Sequence, residues 1–438
     1  METLNGAMNV APAWKLNRES YYKPLAGTVT VDTVIVGGGV AGLATAFELS
    51  QRGIKVALLE AGKLSEGSTG WCAGILSSAT TLDLQLVEKA FGEEMARRIA
   101  SEVISALERY QSRFPEGQWQ SGSTLYFAAK RGHIKSLSSE AKVRAAYHMA
   151  VKQLSKRVIP AAWQGFHGAL RAEQEYAANP TRLMMALANA IVSAGGHIFE
   201  GSAMTRWTAN KGVVSVCTIG GVVKARNLVL AVGLKGMSQP ERKRLNHLIV
   251  PVTGHIMVTK PSKAVSDLVR DGGVIAAWDS LQLYHYVRYL ADGRLLVGGG
   301  EQAGASASKV LTARSPYIKE LHRWAQEHHT FEVPEVECAW RAGLIFPGDG
   351  LPFVQNRESH GCRIVTVVTD GLPFGFALGG AVTRLLIGGE DWLCSTLSEQ
   401  RPVPLMVRML QLLPASGLVR SLAERAALQV LHVADQVM

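Results

Sequence analysis

A short apolar run, Val31 to Val36 (VDTVIV), leads directly into Gly37-Gly38-Gly39-Val40-Ala41-Gly42. No other stretch restricts the fold of this chain so tightly. Its β-branched residues suit a parallel strand buried on both faces. The glycines at 37, 39 and 42 follow the G-x-G-x-x-G pattern, and Ala44, Ala46, Leu49 and Ser50 continue as a helix that Gly53 ends. Lys55 to Glu60 (KVALLE) then reads as a second strand. Each glycine has a physical task. Gly37 permits the tight turn, Gly39 lets backbone N–H groups approach a pyrophosphate, and Gly42 lets helix and strand pack closely. The positive end of the helix faces the phosphates. Glu60 closes the second strand, where a carboxylate accepts both hydroxyls of a ribose and repels a 2′-phosphate. A dinucleotide is expected, and NADP is disfavoured.

The remaining composition is consistent with a large α/β enzyme. The chain has 438 residues, 47% of them hydrophobic, with 44 glycines, enough for two or three domains. Its formal net charge of +10 is scattered, and the densest cluster, Glu241-Arg242-Lys243-Arg244, carries its own acid. Nucleic-acid binding needs a concentrated basic face, so the charge points instead to anionic substrates or an anionic membrane surface. Five distant cysteines without a CxxC pair argue against zinc or iron–sulfur centres and suit a reducing cytoplasm. Neither a signal peptide nor an uninterrupted apolar stretch of bilayer length is read, so a cytoplasmic or membrane-peripheral location is expected.

Beyond Glu60 the chain resembles, in patches from about Tyr22 to Trp392, the FAD-dependent amine and amino-acid oxidoreductases, a family that includes D-amino-acid oxidase, glycine oxidase, sarcosine oxidase and γ-glutamylputrescine oxidase. The first patch is Glu60-Ala61-Gly62 with Gly67-Ser68-Thr69-Gly70-Trp71-Cys72-Ala73-Gly74, similar to a small-residue loop that runs beside the flavin. The second is Gly195 to Ile198 with the strands to Arg226–Gly233 (RNLVLAVG). It implies cofactor contacts at Ala203, Met204, Ala231 and Gly233. Tyr286-Val287-Arg288 with Asp292 to Gly300 resembles the strand pair of the substrate domain. Ala339-Trp340, Gly343, Asp349 to Phe353 and Ile364 to Val368 lead to a turn and helix through Gly371, Gly375, Phe376 and Gly379, similar to the element that caps the flavin pyrimidine end.

The resemblance implies a Rossmann-like, glutathione-reductase-like FAD domain of α/β class, with a mixed-sheet substrate domain inserted. Residues 28–95, 175–246 and 335–395 are expected in the FAD domain, 96–174 and 247–334 in the substrate domain, and 396–438 in a helical tail. Expected cofactor residues are Gly37, Gly39, Val40, Ala41, Gly42, Glu60, Ala61, Ser68, Thr69, Gly70, Trp71 and Gly74, besides those named above. The implied activity is oxidation of a C–N bond of an amine or N-substituted amino acid by hydride transfer to the flavin, with oxygen or a quinone as acceptor. Oxidation of an alcohol or hydroxy acid, and a flavin-binding subunit without turnover, remain as alternatives.

The substrate end departs from the family. Ile345 stands where glycine-oxidase-type enzymes carry a carboxylate-gripping arginine, and Leu296 where sarcosine oxidases carry a lysine that promotes reaction with oxygen. Cys338 falls where sarcosine oxidases link the flavin covalently, but it reads first as a small buried hydrophobe, so the flavin is expected to be non-covalent. In LQLYHYVRYL (281–290), strand alternation puts Tyr284, Tyr286 and Arg288 on one face and His285, Val287 and Tyr289 on the other. The resemblance favours Tyr286 and Arg288 as catalytic, with Trp340 nearby. His255 is a candidate base or donor beside the ring. From Leu405 to Leu413 and from Leu418 to Val430 the tail has apolar spacing for a helix pair, which packs on the body or a partner subunit, or touches a membrane surface.

Overall fold

The computed structural model describes residues 12–14, 22–78, 83–233, 249–281, 284–304, 309–347, 351–369, 371–398 and 401. Almost all of the expected tail, from residue 402 on, lies outside them, as do Asp349 and Gly350. Among the described residues, no helix is long and apolar enough to cross a membrane.

The strands Thr33–Val36, Val56–Leu59 and Asn227–Leu230 are runs of aliphatic residues, and they form the centre of a six-stranded sheet. Its order is Phe353–Ser359, Cys362–Val368, Asn227–Leu230, Thr33–Val36, Val56–Leu59 and His197–Phe199. All neighbours are parallel except the first pair. Alternate side chains of these strands enter different cores. Ile35, Leu58, Val229 and Val365 pack with the helices, while Val34, Leu59, Leu228 and Ile364 pack on the second face. A small sheet of Gly27–Thr30, Gly221–Ala225, Val213–Cys217 and Arg206–Asn210 covers that second face. The central strands are therefore buried on both sides, which explains their continuous apolar sequence.

The second large unit is a mixed ten-stranded sheet. Its main path runs Lys309–Leu311, Val336–Pro347, Ile249–Thr259, Leu295–Ala303, Tyr286–Tyr289, Val274–Asp279, Gln120–Phe127, Gly168–Ala177 and Ile75–Leu76, with Val151–Ser155 also on Gly168–Ala177. Only Val274–Asp279 and Gln120–Phe127 run parallel among its pairs. The strand alternation expected around Tyr286 is present. Val287 and Tyr289 enter an outer core beneath the helix Pro316–His328, and Tyr286 joins an inner cluster with Trp71, Trp340, Leu296 and Ile256.

The domain boundaries differ from those expected. The helix Glu93–Arg113 puts Ile99, Val103 and Leu107 into the core of the six-stranded unit, not of the substrate domain. Conversely, Val336–Pro347 pairs along its length with Ile249–Thr259 in the ten-stranded sheet. An apolar stripe records that a helix has a buried face, but not which sheet the face covers.

The outer core contains a histidine whose environment makes a testable pH prediction. His329 is buried, its Nδ1–H donates to the Ala325 carbonyl (2.7 Å), and its Nε2 accepts from the Tyr289 hydroxyl (3.0 Å). Burial lowers its pKa from 6.5 to about 4. The unfolded chain takes up this proton between those values and the native protein does not, so the contribution is intact above pH 6.5 and lost as pH falls towards 4. Urea melts across this window should show stability falling with pH. His329→Gln should remove on the order of 3 kcal/mol of that fall across the window; an unchanged slope would show that another group titrates.

Candidate active site

The glycine turn brings several separate chain segments together. Gly37 has φ +109°, and a Cβ there would run into the Ala231 carbonyl. Gly42 is pressed on the Gly37 carbonyl in the same way. Gly39, the N-cap of the helix Val40–Ser50, faces open space except for Thr69 Oγ1, 3.4 Å from where a Cβ would stand. Two N–H groups at this helix start, and that of Gly62, have side-chain acceptors. Gly38 N–H donates to Glu60 Oε2 (2.7 Å), Gly62 N–H to Glu60 Oε1 (2.9 Å), and Val40 N–H to Thr69 Oγ1 (3.2 Å). Burial raises the Glu60 pKa, while the Gly62 and Gly38 N–H bonds oppose the rise. Ala61 follows Glu60, and Ser202 N–H donates to the Glu60 carbonyl (2.8 Å), which places exposed Ala203 and half-buried Met204 beside this acid. Ala231 N–H donates to the Val36 carbonyl (2.8 Å), and Gly233 turns the chain with φ +57°. The glycine turn, the helix start and the Glu60 carboxylate are the residues that would hold the phosphates and a ribose, and they fit FAD.

A second positive helix end supports the first. The helix Leu372–Gly388 follows Gly371, whose φ is +75°. A Cβ on Gly375 would come within 2.5 Å of a Val40 methyl, and one on Gly379 within 2.5 Å of Ala44 Cβ. Positions 40 and 44 thus match 375 and 379 in rising order, so the two helices run parallel with their N-termini at one end. Gly375 and Gly379, expected as cofactor contacts, are instead where the helices touch. Phe376, also expected there, is fully buried and stacks on Tyr110 at 4.2 Å. Gly371 alone of this group lies at the helix start.

The loop that leaves the cradle is strung on the inner face of the ten-stranded sheet. Gly70 is pressed on the Ser65 carbonyl, and Ser68 Oγ donates to the Gly343 carbonyl (2.7 Å). Trp340 Nε1 donates to the Trp71 carbonyl (2.9 Å), and Trp14 Nε1 to the Cys72 carbonyl (2.9 Å). Arg288 Nη1 donates to the carbonyls of Ala73 (2.7 Å), Gly74 (3.2 Å) and Ala178 (2.7 Å), and Nη2 to Gln120 Oε1 (3.0 Å). Gly74 has φ +69°, and a side chain there would meet the Ala178 carbonyl.

Three residues expected at the substrate are therefore placed otherwise. Arg288 is only 2% exposed and directs its Nη donors to backbone carbonyls and Gln120, while its charge lies 5.2 Å from the Trp14 ring. Trp340 is fully buried and holds the loop. His255 lies on the outer face: its Nδ1–H donates to the Gly300 carbonyl (2.9 Å), its ring stacks on Tyr317 at 4.3 Å, and burial lowers its pKa. Tyr286 does face inward, with its ring lying across Gly298. Burial first, then the neighbouring Glu301 carboxylate, hold its phenol protonated well above the usual range. Sequence reading missed Trp14, Gln120 and Glu301. Their partners are remote in the chain, and only the Gly298-Gly299-Gly300 run beside Glu301 carried a local signal.

The family model for FAD dependent oxidoreductases, DAO, matches residues 32–385. γ-Glutamylputrescine oxidoreductase of Escherichia coli (strain K12) is 27% identical over 298 residues, covering 66% of this chain and 69% of that protein. Glycine oxidase of Bacillus licheniformis is 22% identical over 385 residues, covering 84% of this chain and 97% of that protein. The crystal structure of glycine oxidase from Geobacillus kaustophilus superposes with a TM-score of 0.69 at 21% identity, over 86% of this chain and 100% of that one. The fold thus has its counterpart in a known family, and the chain belongs to it, the DAO family of FAD dependent oxidoreductases.

Proposed function

We propose that the protein oxidises a C–N bond of an amine or an N-substituted amino acid, using FAD. The observation that carries this reading is the loop 66–74, which leaves the phosphate cradle at Thr69 and is bonded along the inner face of the substrate sheet by Ser68, Trp340, Trp14 and Arg288. FAD, when bound, supplies the acceptor for the hydride. The chain's own residues bind, orient and exclude water. Trp71, Trp340, Leu296 and Ile256 make the inner face apolar, which favours an uncharged amine at the reacting carbon. Tyr286 keeps its proton and can hydrogen-bond a substrate without ionising. Anaerobic mixing of the FAD-loaded protein with a panel of amines, N-methyl amino acids and hydroxy acids should bleach the flavin with an amine-type compound. Bleaching by hydroxy acids alone, or by nothing, would overturn the reading.

FAD attachment is taken as non-covalent. Cys338 lies on the inner face, half-buried and opposite Val258, packed among Trp71, Trp340 and Leu296. Acid precipitation should therefore leave all the flavin in the supernatant; a yellow pellet, lost in Cys338→Ser, would assign a covalent link. The preferred electron acceptor is taken to be a quinone-type compound, because Leu296 presents an aliphatic side chain at the inner face where a cation would promote reaction with oxygen. Stopped-flow reoxidation faster in air than with a soluble quinone would reverse that choice.

A further inference from the structure

The inner face of the substrate sheet carries a charge placed there by a backbone irregularity. In the strand Leu295–Ala303, Gly298 pairs with Tyr286 and Gly299 pairs with His255. The register then slips, so that Gln302 pairs with Thr253 and two residues, Gly300 and Glu301, stand opposite Gly254. Gly299 and Gly300 have φ +140° and +63°, values that suit glycine, and together they form a bulge. Without the extra residue, Glu301 would follow Gly299 and Leu295 on the outer face. With it, Glu301 is turned to the side of Gly298 and Tyr286. The electrostatic influence of Glu301 on the Tyr286 phenol is independent support for that side.

The bulge itself is uncrowded: a Cβ on Gly300 would meet nothing within 4 Å, and one on Gly254 only Leu344 Cδ1 at 3.3 Å. Glu301 is half-buried, with Oε2 shielded from solvent. The Tyr286 phenol lies within reach of its charge, and the Tyr284 ring lies 5.9 Å from that of Tyr286. Arg288, two residues from Tyr286 along the same face, gives its Nη donors to carbonyls and to Gln120. A partly desolvated carboxylate beside aromatic faces attracts an ammonium group and repels an anion.

We propose that Glu301, aimed inward by the Gly299–Gly300 bulge and flanked by Tyr284 and Tyr286, is a specificity site for a second, distal cationic group of the substrate. The substrate class is then a diamine or polyamine-like compound, oxidised at one nitrogen and held at the other, and not a simple amino acid held by its carboxylate. This rests on the C–N reading above for the reaction but not for the binding.

The test uses binding without turnover. FAD-loaded full-length protein is titrated with hexamethonium, a bis-quaternary dication that has no amine lone pair to oxidise, and with hexyltrimethylammonium, a monocation of similar length, following the flavin absorbance. The dication should bind about 10-fold more tightly, as expected for one added ion-pair and cation–π contact of a group that has no N–H to donate. Glu301→Gln should abolish the preference, and Glu301→Asp should keep part of it. Equal binding of the two compounds, no binding of the dication, or a preference that survives Glu301→Gln would each overturn the proposal. The wild-type comparison alone decides the matter if a variant does not retain flavin. Loss of amine bleaching with the dication preference intact would reject the reaction and leave this site standing.

Discussion

Gly42→Ala is expected to purify largely without flavin, with FAD affinity lowered about 10- to 100-fold. The substitution would normally favour a helix, since alanine gains about 1 kcal/mol over glycine in a helix interior. Here the added methyl meets the Gly37 carbonyl, which belongs to the turn that carries the N–H donors. Backbone against a methyl leaves no flexible partner to move aside, and such overpacking costs about 1–3 kcal/mol. The clash outweighs the propensity and opens the turn. Gly39→Ala is the control, because its methyl would meet only Thr69 Oγ1 at 3.4 Å. The apoprotein of Gly39→Ala should melt like wild type while also binding FAD poorly, because its methyl occupies the approach of the phosphates. The ratio of 450 nm to 280 nm absorbance and apoprotein melting curves measure both effects. A Gly42→Ala protein with full flavin content would show that the turn does not depend on that contact.

Arg288→Met should be the most destabilising single change at the substrate sheet. It removes the donor from the carbonyls of Ala73, Gly74 and Ala178 and from Gln120 Oε1 in a site closed to water. Leaving such groups unpaired costs about 1–3 kcal/mol each, and relaxation limits the total to on the order of 3–5 kcal/mol. Against a typical stability of about 5–15 kcal/mol this is a large fraction. Burial pulls the guanidinium pKa down to about 9, so the group stays ionised at neutral pH and the carbonyls offset its desolvation. The expected result is a fall in melting temperature of roughly 5–10 °C with poor soluble yield. Arg288→Lys should recover little, because one ammonium cannot reproduce the two-pronged reach of Nη1 and Nη2. A variant that melts normally but has lost substrate affinity would return Arg288 to the substrate.

Both predictions concern residues that sequence reading singled out, but with different success. At Gly42 the role follows from local geometry. A strand, a turn and a helix within a dozen residues must bring Gly37 and Gly42 together, so residue type and spacing are enough. At Arg288 alternation identified the inward face, and Arg288 does lie on the Tyr286 side. It could not reveal that carbonyls at 73, 74 and 178 would converge on the same guanidinium, since each comes from a remote segment. His255 failed for a related reason. Its strand has two faces of comparable apolarity, and the identity of the covering layer, here Tyr317 of the helix Pro316–His328, is a tertiary fact.

The glycines of the closing helix show a third case. The family resemblance assigns Gly375 and Gly379 to a cofactor cap, yet their spacing of four is also that of one helix edge resting on another. The contacts at Val40 and Ala44 give them that second role and, through it, align the two helix N-termini. Glu301 is the reverse example. Its inward direction depends on one extra residue in the register, which changes the face of every side chain after it.

The sequence by itself determined the elements whose physics is local: the βαβ opening, its dinucleotide preference, the buried parallel strands and the inward and outward faces around Tyr286. Only the tertiary structure decided which layer each helix covers, that Arg288, Trp340 and Trp14 hold a loop, and that a bulge turns Glu301 to the side of Tyr286. Backbone periodicity is a property of neighbours in the chain, whereas a buried charge takes its role from whichever remote oxygen atoms surround it once the sheets have closed.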